Sequence, residues 1–369
     1  MREVIDDLLP WWREGKPVGM ATVVATWSSA PRPPGATMLV GPDGTAVGSV
    51  SGGCVEGAVY ELCQEAVAGG PPRLQRYGVS DDDAFSVGLT CGGTIELYVE
   101  RVDRETFPQL ADVAESIDKQ VPVGVLTCVE GPEERLGRHL VIWPDRRDGT
   151  LGSARLDDAA TDDGRGLLAA GRTGVLHYGP DGQRRGGGLS VLVRSYAPRP
   201  RMIVFGAIDF AAAVARIGAF LGYRVTVCDA RPVFATQRRF PEADEVVVAW
   251  PHKYLAAEAE AGRLDERSVV CVLTHDPKFD VPVLRIALEM PLAYVGAMGS
   301  RRTHDDRLAR LREAGVGDAA LGRLSSPIGL DLGARTPEET AVSIAAEIIA
   351  SQWGGHGRRL TETEGRIHG

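Results

Sequence analysis

The chain has 369 residues, 44% of them hydrophobic and 25% charged, and a formal net charge of −9. That length exceeds one ordinary core and predicts two or three soluble globular domains. The negative balance excludes non-specific binding to nucleic acid or to an anionic membrane as a main function, and the six cysteines, with no CxxC pair among them, are no disulfide scaffold.

The opening MREVIDDLLPWWREG is acidic early and lacks a long apolar run before a small-residue cleavage site, so no signal peptide is expected. No uncharged apolar stretch reaches about 18 residues, so no membrane span is expected. The cytoplasm is the default compartment. The first half of the chain then repeats itself. Residues 17–50, PVGMATVVATWSSAPRPPGATMLVGPDGTAVGSV, match residues 122–154, PVGVLTCVEGPEERLGRHLVIWPDRRDGTLGSA. Each has an alternating strand (Gly19–Thr26, Gly124–Val129), a polar loop, a second strand (Thr37–Val40, His139–Trp143) and an Asp-Gly-Thr hairpin turn leading to Gly-Ser. They close alike, with GGTIELYVERV at 92–102 and GGLSVLVRSY at 187–196. Two related β-rich units, 17–102 and 122–196, follow.

The copies differ at two cysteines. Aligning Gly48-Ser49 with Gly152-Ser153 places an acidic residue at the Cys54 position and removes the double glycine; at the closing strand CGG becomes GGG. Both cysteines thus belong to the first copy alone, which leans toward function rather than shared architecture. In SVSGGCVEG, Cys54 follows Gly52 and Gly53 and precedes a helix expected from about Val55. A thiol at a helix N-terminus has a lowered pKa, and successive glycine N–H groups can cradle an anion. Glu56 can accept a proton or hydrogen bond nearby. Cys91 precedes Gly92 and Gly93 at a strand start, and convergence of the two loops would line one pocket with two thiols. The competing reading makes both cysteines small buried residues in tight turns. Zinc is not expected: a structural site needs about four ligands, and this unit offers only Cys54, Cys63 and Cys91, with no histidine. Cys63 reads as core. A soft metal or sulfur partner remains open. In the loop holding Ser28 and Ser29, Arg32 either reaches a phosphate or faces water.

APRP at 197–200 reads as a linker. RMIVFGAIDFAAAVARIGAFLGYRVTVCDARP then opens a Rossmann-like βαβ: strand Met202–Phe205, a turn, a helix over about 210–221, strand Arg224–Cys228. Gly206 occupies the first fingerprint position, and Asp229 suits a ribose-binding acid. Ile208 and Asp209 oppose dinucleotide binding, one by bulk and one by charge. NAD(P) is therefore the weaker cofactor expectation. Strands continue through DEVVVAW at 244–250 and SVVCVLTHD at 268–276, which ends in His275 and Asp276 where open α/β sheets bind ligands. In an enzyme His275 would carry a proton and Asp276 would orient it; otherwise they are a surface histidine and a turn-stabilising aspartate. Cys228 and Cys271 fall in apolar strands and read as core. In residues 291–315, Gly296, Gly299, Ser300 and Arg301 line a strand–turn–helix, an arrangement suited to an anion. Thr336 is expected to cap a helix beginning at Pro337, with Glu339 completing a capping box. Ser343 and Glu347 on that helix need no function. The domain ends near residue 352, before a polar tail at 353–369.

Several of these stretches together resemble the XdhC/CoxI family, accessory proteins of molybdenum-containing hydroxylases such as xanthine dehydrogenase. They are SGGCVE (51–56), LTCGGT (89–94), the Rossmann-like opening, THD (274–276), YVGAMGSRR (294–302) and PIGLDLGARTPEETAVSIAAEI (327–348). The resemblance implies an α/β fold, with a β-rich N-terminal region over 1–196 and a Rossmann-like domain with a largely parallel sheet over 201–352. It implies binding and protection of molybdenum cofactor (molybdopterin), support of its sulfuration by a cysteine desulfurase, and delivery to the hydroxylase apoenzyme. Cys54 and Cys91 are then the candidate contacts to the metal or its sulfur ligand. Gly52, Gly53, Gly92, Gly93 and Gly299–Arg301 are the candidates for the pterin phosphate. Ile208 and Asp209 depart from the family's nucleotide-type turn. The chain is expected to be a carrier rather than a catalyst, and the hydroxylase itself is excluded by size and by the absence of ferredoxin-type cysteine spacing. An NAD(P)-dependent oxidoreductase and a docking scaffold are the alternatives. Exposed strand edges allow a homodimer.

Overall fold

The structure is a computed structural model that describes residues 1–27, 32–78 and 93–363. The described chain divides into two compact units, Met1–Pro198 and Arg199–Thr363. The first unit runs α1 (Ile5–Arg13), β1 (Val18–Trp27), β2 (Thr37–Val40), β3 (Ala46–Gly48), α2 (Glu56–Val67), β4 (Arg73–Tyr77) and β5 (Thr94–Val102). The same succession then recurs as α3 (Leu110–Asp118), β6 (Val123–Glu130), β7 (His139–Ile142), β8 (Arg147–Gly149), α4 (Ala154–Ala169), β9 (Gly174–Tyr178) and β10 (Leu189–Tyr196). One sheet has the order β3-β2-β1-β5-β4 and the other β8-β7-β6-β10-β9. Every neighbouring pair is antiparallel. The repeat seen in the sequence is therefore a structural duplication.

Strand pairing corrects the internal alignment. Gly48 lies opposite Met38 and Gly149 opposite Leu140, so Gly48 corresponds to Gly149 rather than to Gly152. Both glycines have positive φ. A Cβ would come within 2.3 Å of the Thr37 carbonyl oxygen in one copy and 2.4 Å of the His139 carbonyl oxygen in the other. Counting on from this pair, Cys54 corresponds to Arg155 and Glu56 to Asp157. The acidic residue is thus shared between the copies, and the thiol is not. Main-chain hydrogen bonding sets the equivalence; the Gly-Ser string that suggests the other register falls beyond the strand.

Each sheet packs one face on its own helix. Val59, Cys63 and Ala66 of α2 meet Ala21, Val23, Met38 and Leu97; Leu156, Ala160 and Leu168 of α4 meet Leu126, Leu140 and Ile142. Their other faces share buried residues, among them Met20, Leu39, Val102, Val125 and Val141, with α1 and α3 residues Leu8, Trp12, Leu110 and Val113. A polar chain crosses between the sheets. Buried Arg194 donates to Thr22 Oγ1 at 3.4 Å and to Thr127 Oγ1 at 3.3 Å. Thr127 Oγ1 lies 3.0 Å from His139 Nδ1, and His139 Nε2 lies 3.2 Å from Glu100 Oε2.

The second unit runs β11 (Arg201–Phe205), α5 (Asp209–Phe220), β12 (Arg224–Asp229), β13 (Glu245–Val248), α6 (Pro251–Glu260), β14 (Val269–Val272) and α7 (Pro277–Glu289). It continues through β15 (Tyr294–Ala297), α8 (Arg301–Glu313), α9 (Asp318–Leu321), β16 (Leu324–Ser325) and α10 (Pro337–Trp353). The sheet order is β13-β12-β11-β14-β15-β16 and every pair is parallel, the doubly wound order of the Rossmann fold. Alternation in β11 sends Met202 and Val204 to the side covered by α5 and α10. Ile203 and Phe205 face the side covered by α6, α7 and α8. The capping box read from Thr336 and Glu339 is present in full at the start of α10.

Two glycines in the first unit give opposite expectations. Gly48→Ala forces a methyl against the Thr37 carbonyl at positive φ, and is expected to cost about 1–3 kcal/mol. Gly57→Ala, in α2 with open space around the added Cβ, should be neutral or stabilise by up to about 1 kcal/mol. Chemical denaturation of the two variants measures the contrast, and equal midpoints would contradict the register.

Candidate functional site

The cysteine turn is built around a carboxylate. After β3 the chain turns at Ser49–Val55 into α2, whose first residue is Glu56. Glu56 Oε1 accepts from Ser49 Oγ at 2.7 Å and from the Ser51 N–H at 2.9 Å, with the Val50 N–H farther off at 3.3 Å. Its Oε2 accepts from the Gly53 N–H at 2.8 Å and from Ser51 Oγ. The remaining turn donors are also used: Gly52 N–H donates to Ser49 Oγ, and the Cys54 and Val55 N–H groups donate to Ser51 Oγ, each at 3.0 Å. The glycine N–H groups expected to cradle an external anion are thus committed to the chain's own side chains. Burial pushes the Glu56 carboxyl up, but the Ser51 and Ser49 hydroxyls and the Ser51 N–H outweigh it and bring the group down to about 2. Asp157 holds the matching turn of the second copy, accepting from the Leu151 N–H at 2.7 Å and Thr150 Oγ1 at 2.8 Å.

What the first copy adds is Cys54, half-buried just ahead of α2. Gly52 and Gly53 beside it are exposed, and a Cβ on either would meet none of the described residues within 4 Å. The other described cysteines are of a different kind. Burial pushes Cys63, Cys228 and Cys271 up to about 12 and Cys128 to about 11, so they are protonated core side chains, as expected for the first three. Gly93 is buried at the start of β5. Cys91, Gly92, Ser28 and Ser29 lie outside the described residues. Arg32 stands 3.7 Å from Glu3.

The turn after β11 is closed by its own residues. Gly206 has positive φ, and a Cβ there would lie 2.9 Å from the Thr274 methyl and 3.0 Å from the Thr274 main-chain nitrogen. Asp229, expected to meet a ribose, is only 2% exposed. It accepts from the Ala207 N–H at 2.8 Å, from the Arg231 N–H at 2.9 Å and from the Arg231 guanidinium at 2.8–2.9 Å. Arg239 donates to the Ala207 carbonyl and to Asp209, the residue at the start of α5 where a pyrophosphate would sit.

At the carboxyl end of β14, His275 is exposed and lines a cavity of about 200 Å³ with Asp280, Thr303, Asp306, Arg307 and Arg310. Asp276 caps α7, accepting from the Lys278 N–H, and pairs with the Lys278 amine at 2.8 Å; it is not placed as an orienter of His275. Burial raises the Asp280 carboxyl, opposed by Thr274 and by buried Arg307, 3.0 Å away. At the turn before α8, Ser300 Oγ caps the helix by accepting from the Thr303 N–H at 3.1 Å, and Arg301 is exposed. No protein acceptor among the described residues takes the Arg301 or Arg302 N–H. As the first N–H groups of α8 they have no partner within the helix, the condition that helix N-terminal anion binding uses. The candidate residues fall on two turns, the thiol turn of the first unit and the β14–β15 edge of the second. Sequence reasoning misses Ser49 and Ser51, which hold the first; their spacing ahead of Glu56 is the available signal.

The fold and these turns define a class: a duplicated antiparallel β module bearing a turn thiol, joined to a doubly wound parallel domain with a closed dinucleotide turn. The model described as "XdhC and CoxI family" matches residues 11–78 and 116–179, one stretch in each repeat, and the "XdhC Rossmann domain" model matches residues 202–348. The chain belongs to the XdhC and CoxI family. It is 28% identical to a protein of Bacillus subtilis named as a probable xanthine dehydrogenase subunit, over 90% of this chain and 92% of that one. It is 28% identical to the "Molybdenum cofactor insertion chaperone PaoD" of Escherichia coli, over 91% of this chain and 84% of that one. A solved structure described as a xanthine dehydrogenase from Bacillus halodurans superposes with a TM-score of 0.68 at 26% identity, covering 97% of each chain. Among the described residues no helix is long and apolar enough to cross a membrane.

The Glu56 anchor sets a pH dependence. Its folded value lies below the ordinary 4.5, so its stabilisation is complete above about 4.5 and is lost as pH falls from there through about 2. Hydrogen exchange at the Ser51 and Gly53 amides should therefore stay slow at pH 5 and quicken below about pH 3 relative to the intrinsic rate. Glu56→Gln should show fast exchange already at about pH 7, with Cys54 alkylated faster by iodoacetamide. Unchanged protection in the variant would remove the carboxylate from this role.

Proposed function

We propose that this chain is a molybdenum cofactor-binding accessory factor that protects the cofactor and delivers it during maturation and sulfuration of a molybdenum hydroxylase. The observation that carries the reading is Cys54. It is a half-buried thiol beside two exposed glycines on which a Cβ would meet none of the described residues within 4 Å, and it belongs to one copy of a duplicated module whose other copy has Arg155 in its place. A cofactor with a metal–sulfur end suits such a thiol. The relatives named for molybdenum cofactor insertion and for xanthine dehydrogenase support the same direction. The cofactor is cargo here: the turn would hold it by the thiol, while Glu56 and the serines keep the turn rigid. The N–H donors at Arg301 and Arg302 offer a second anchoring place for a phosphate. The hydroxylase apoenzyme is the receiving partner, a cysteine desulfurase is the proposed sulfur source, and the cytoplasm is the compartment where the three would meet. Self-association as a homodimer belongs to the same proposal.

The oxidoreductase alternative has less behind it, because Asp229, Asp209 and Arg239 are engaged with the chain's own groups where a dinucleotide would bind.

Purification from a host that makes the cofactor, followed by molybdenum and pterin analysis, tests the proposal. Wild type should carry both, Cys54→Ser should carry about tenfold less or lower, and Arg301→Ala should fall between them. Retention of full cofactor by Cys54→Ser would remove the thiol from the site, and a wild type free of molybdenum and pterin would end the carrier reading. Titration with NAD and NADP should give no saturation below about 1 mM.

A further inference from the structure

A cavity floored by buried charged residues lies within the first unit, away from the cysteine turn. It measures about 520 Å³ and sits between the two repeats, within the size range of small-molecule sites. Its floor is Glu100 on β5 and His139 on β7, with side chains 3% and 2% exposed. Pro71, Pro72, Pro108 and Leu136 supply apolar walls, and Arg101 and Arg138 stand among the lining residues.

The duplication shows why this space is open. Thr37 and His139 are equivalent, each paired with a threonine of the central strand, Thr22 and Thr127. Glu100 and Arg194 are likewise equivalent, opposite Met20 and Val125. Beside Thr37 the chain fills the position itself: the Met1 amine donates to Thr37 Oγ1 at 3.0 Å, and Met1 and Val4 are buried. Val4 packs against the Gly48 position where Gln109 stands beside Gly149. At His139 no such segment covers the floor among the described residues. Gly137 stands at the edge of the floor, where a Cβ would lie 3.4 Å from Tyr98 Oη and 3.9 Å from Glu100 Oε2.

The buried groups are only partly satisfied. His139 Nε2 is within ion-pair distance of Glu100 but is not aligned as a hydrogen bond. Among the described residues Glu100 receives no other donor. A buried carboxylate with spare lone pairs calls for donors. Arg101 uses its Nε on Asp103, and Arg138 uses its Nε on the Glu134 carbonyl. Their terminal nitrogens have no acceptor among the described residues.

We infer that this cavity is a second ligand site, taking a planar nitrogen heterocycle with two adjacent N–H donors and an anionic tail. The proline and leucine walls suit a flat ring. Glu100 accepts the two donors side by side, as carboxylates accept paired N–H groups. Arg101 and Arg138 hold the tail, a phosphate or carboxylate. Guanine nucleotides and pterins share this 2-amino-4-oxo edge. A pterin here would be the ring of the proposed cargo, so that form of the inference rests on the cargo reading, whereas the guanine form does not; the effect of Arg138→Ala tells failure of this cavity from failure of the thiol turn.

Calorimetric titration of the full chain with GMP, 6-carboxypterin, AMP, guanosine and inorganic phosphate tests it. GMP, 6-carboxypterin or both should bind, and which of them does identifies the source of the edge. AMP, which lacks the edge, should bind about tenfold more weakly or worse, and inorganic phosphate weaker still. Glu100→Gln should weaken binding about ten- to a hundredfold. Arg138 is exposed, so Arg138→Ala keeps the fold. It should weaken GMP several-fold while leaving guanosine, which has no phosphate, unchanged, a comparison that holds even if Glu100→Gln unfolds. The inference is overturned if neither GMP nor 6-carboxypterin binds below about 1 mM, if AMP binds as well as GMP, or if Arg138→Ala leaves GMP binding untouched.

Discussion

Main-chain N–H groups in a turn must find acceptors once water is excluded, and in this protein one carboxylate per turn meets that demand. Glu56 holds the cysteine turn, Asp157 the matching turn of the second repeat, and Asp229 the turn after β11. The consequence for function is direct. A glycine-rich turn before a helix offers an anion site only while its donors remain unclaimed. In the first two turns the donors are claimed locally, and in the third the acid expected to meet a ribose is used to hold the backbone. The turn before α8 differs, because its cap is a serine that takes only the Thr303 N–H. The same constraint therefore separates closed turns from an open one across both units.

Duplication explains much of the first unit. Two sheets of the same strand order carry equivalent positions, and the duplicated positions then diverge in chemistry. The Arg194–Thr127–His139–Glu100 chain is built from positions whose equivalents are Glu100, Thr22, Thr37 and Arg194, so polar groups recur there but with different chemistry. It runs from a buried guanidinium through a hydroxyl and an imidazole toward a buried carboxylate, and it leaves Arg194 Nε and His139 Nε2 without an aligned hydrogen bond. Divergence also separates Cys54 from Arg155 and the segment-filled position at Thr37 from the open cavity at His139.

The Rossmann-like opening of the second unit is legible in the sequence because apolar strands alternate with helices and β11 ends at Phe205, just ahead of Gly206; the strand order itself is not. The capping box at Thr336 and Glu339 is legible for a local reason: its partners are neighbours along one helical turn. The cysteine core assignments are legible because Cys63 lies on an amphipathic helix and Cys228 and Cys271 lie inside apolar runs. The internal alignment beyond β3 misleads, since Gly48-Ser49 and Gly152-Ser153 match as letters while the hydrogen-bond ladder makes Gly48 equivalent to Gly149. Glu56 is only half legible: its nearness to Cys54 is plain, but its donors from Ser49 to Gly53 converge only when the turn folds back on α2. Glu100 sits on the inward face of β5 by simple alternation with Val99 and Arg101, which is the sequence signal for the cavity and a weak one without the second repeat beside it.

Sequence alone determined the duplication, the Rossmann-like opening, the family and the singular position of Cys54, because each rests on periodicity or on residues close together along the chain. Only the tertiary structure decided which donors and acceptors remain available. Whether Gly53 can hold an anion depends on Glu56 turning toward it, whether Asp229 can meet a ribose depends on Ala207 and Arg231, and whether Glu100 faces a cavity depends on what covers the other repeat. Hydrogen-bond satisfaction is a property of groups brought together in space, and no spacing of residues along a chain reports it.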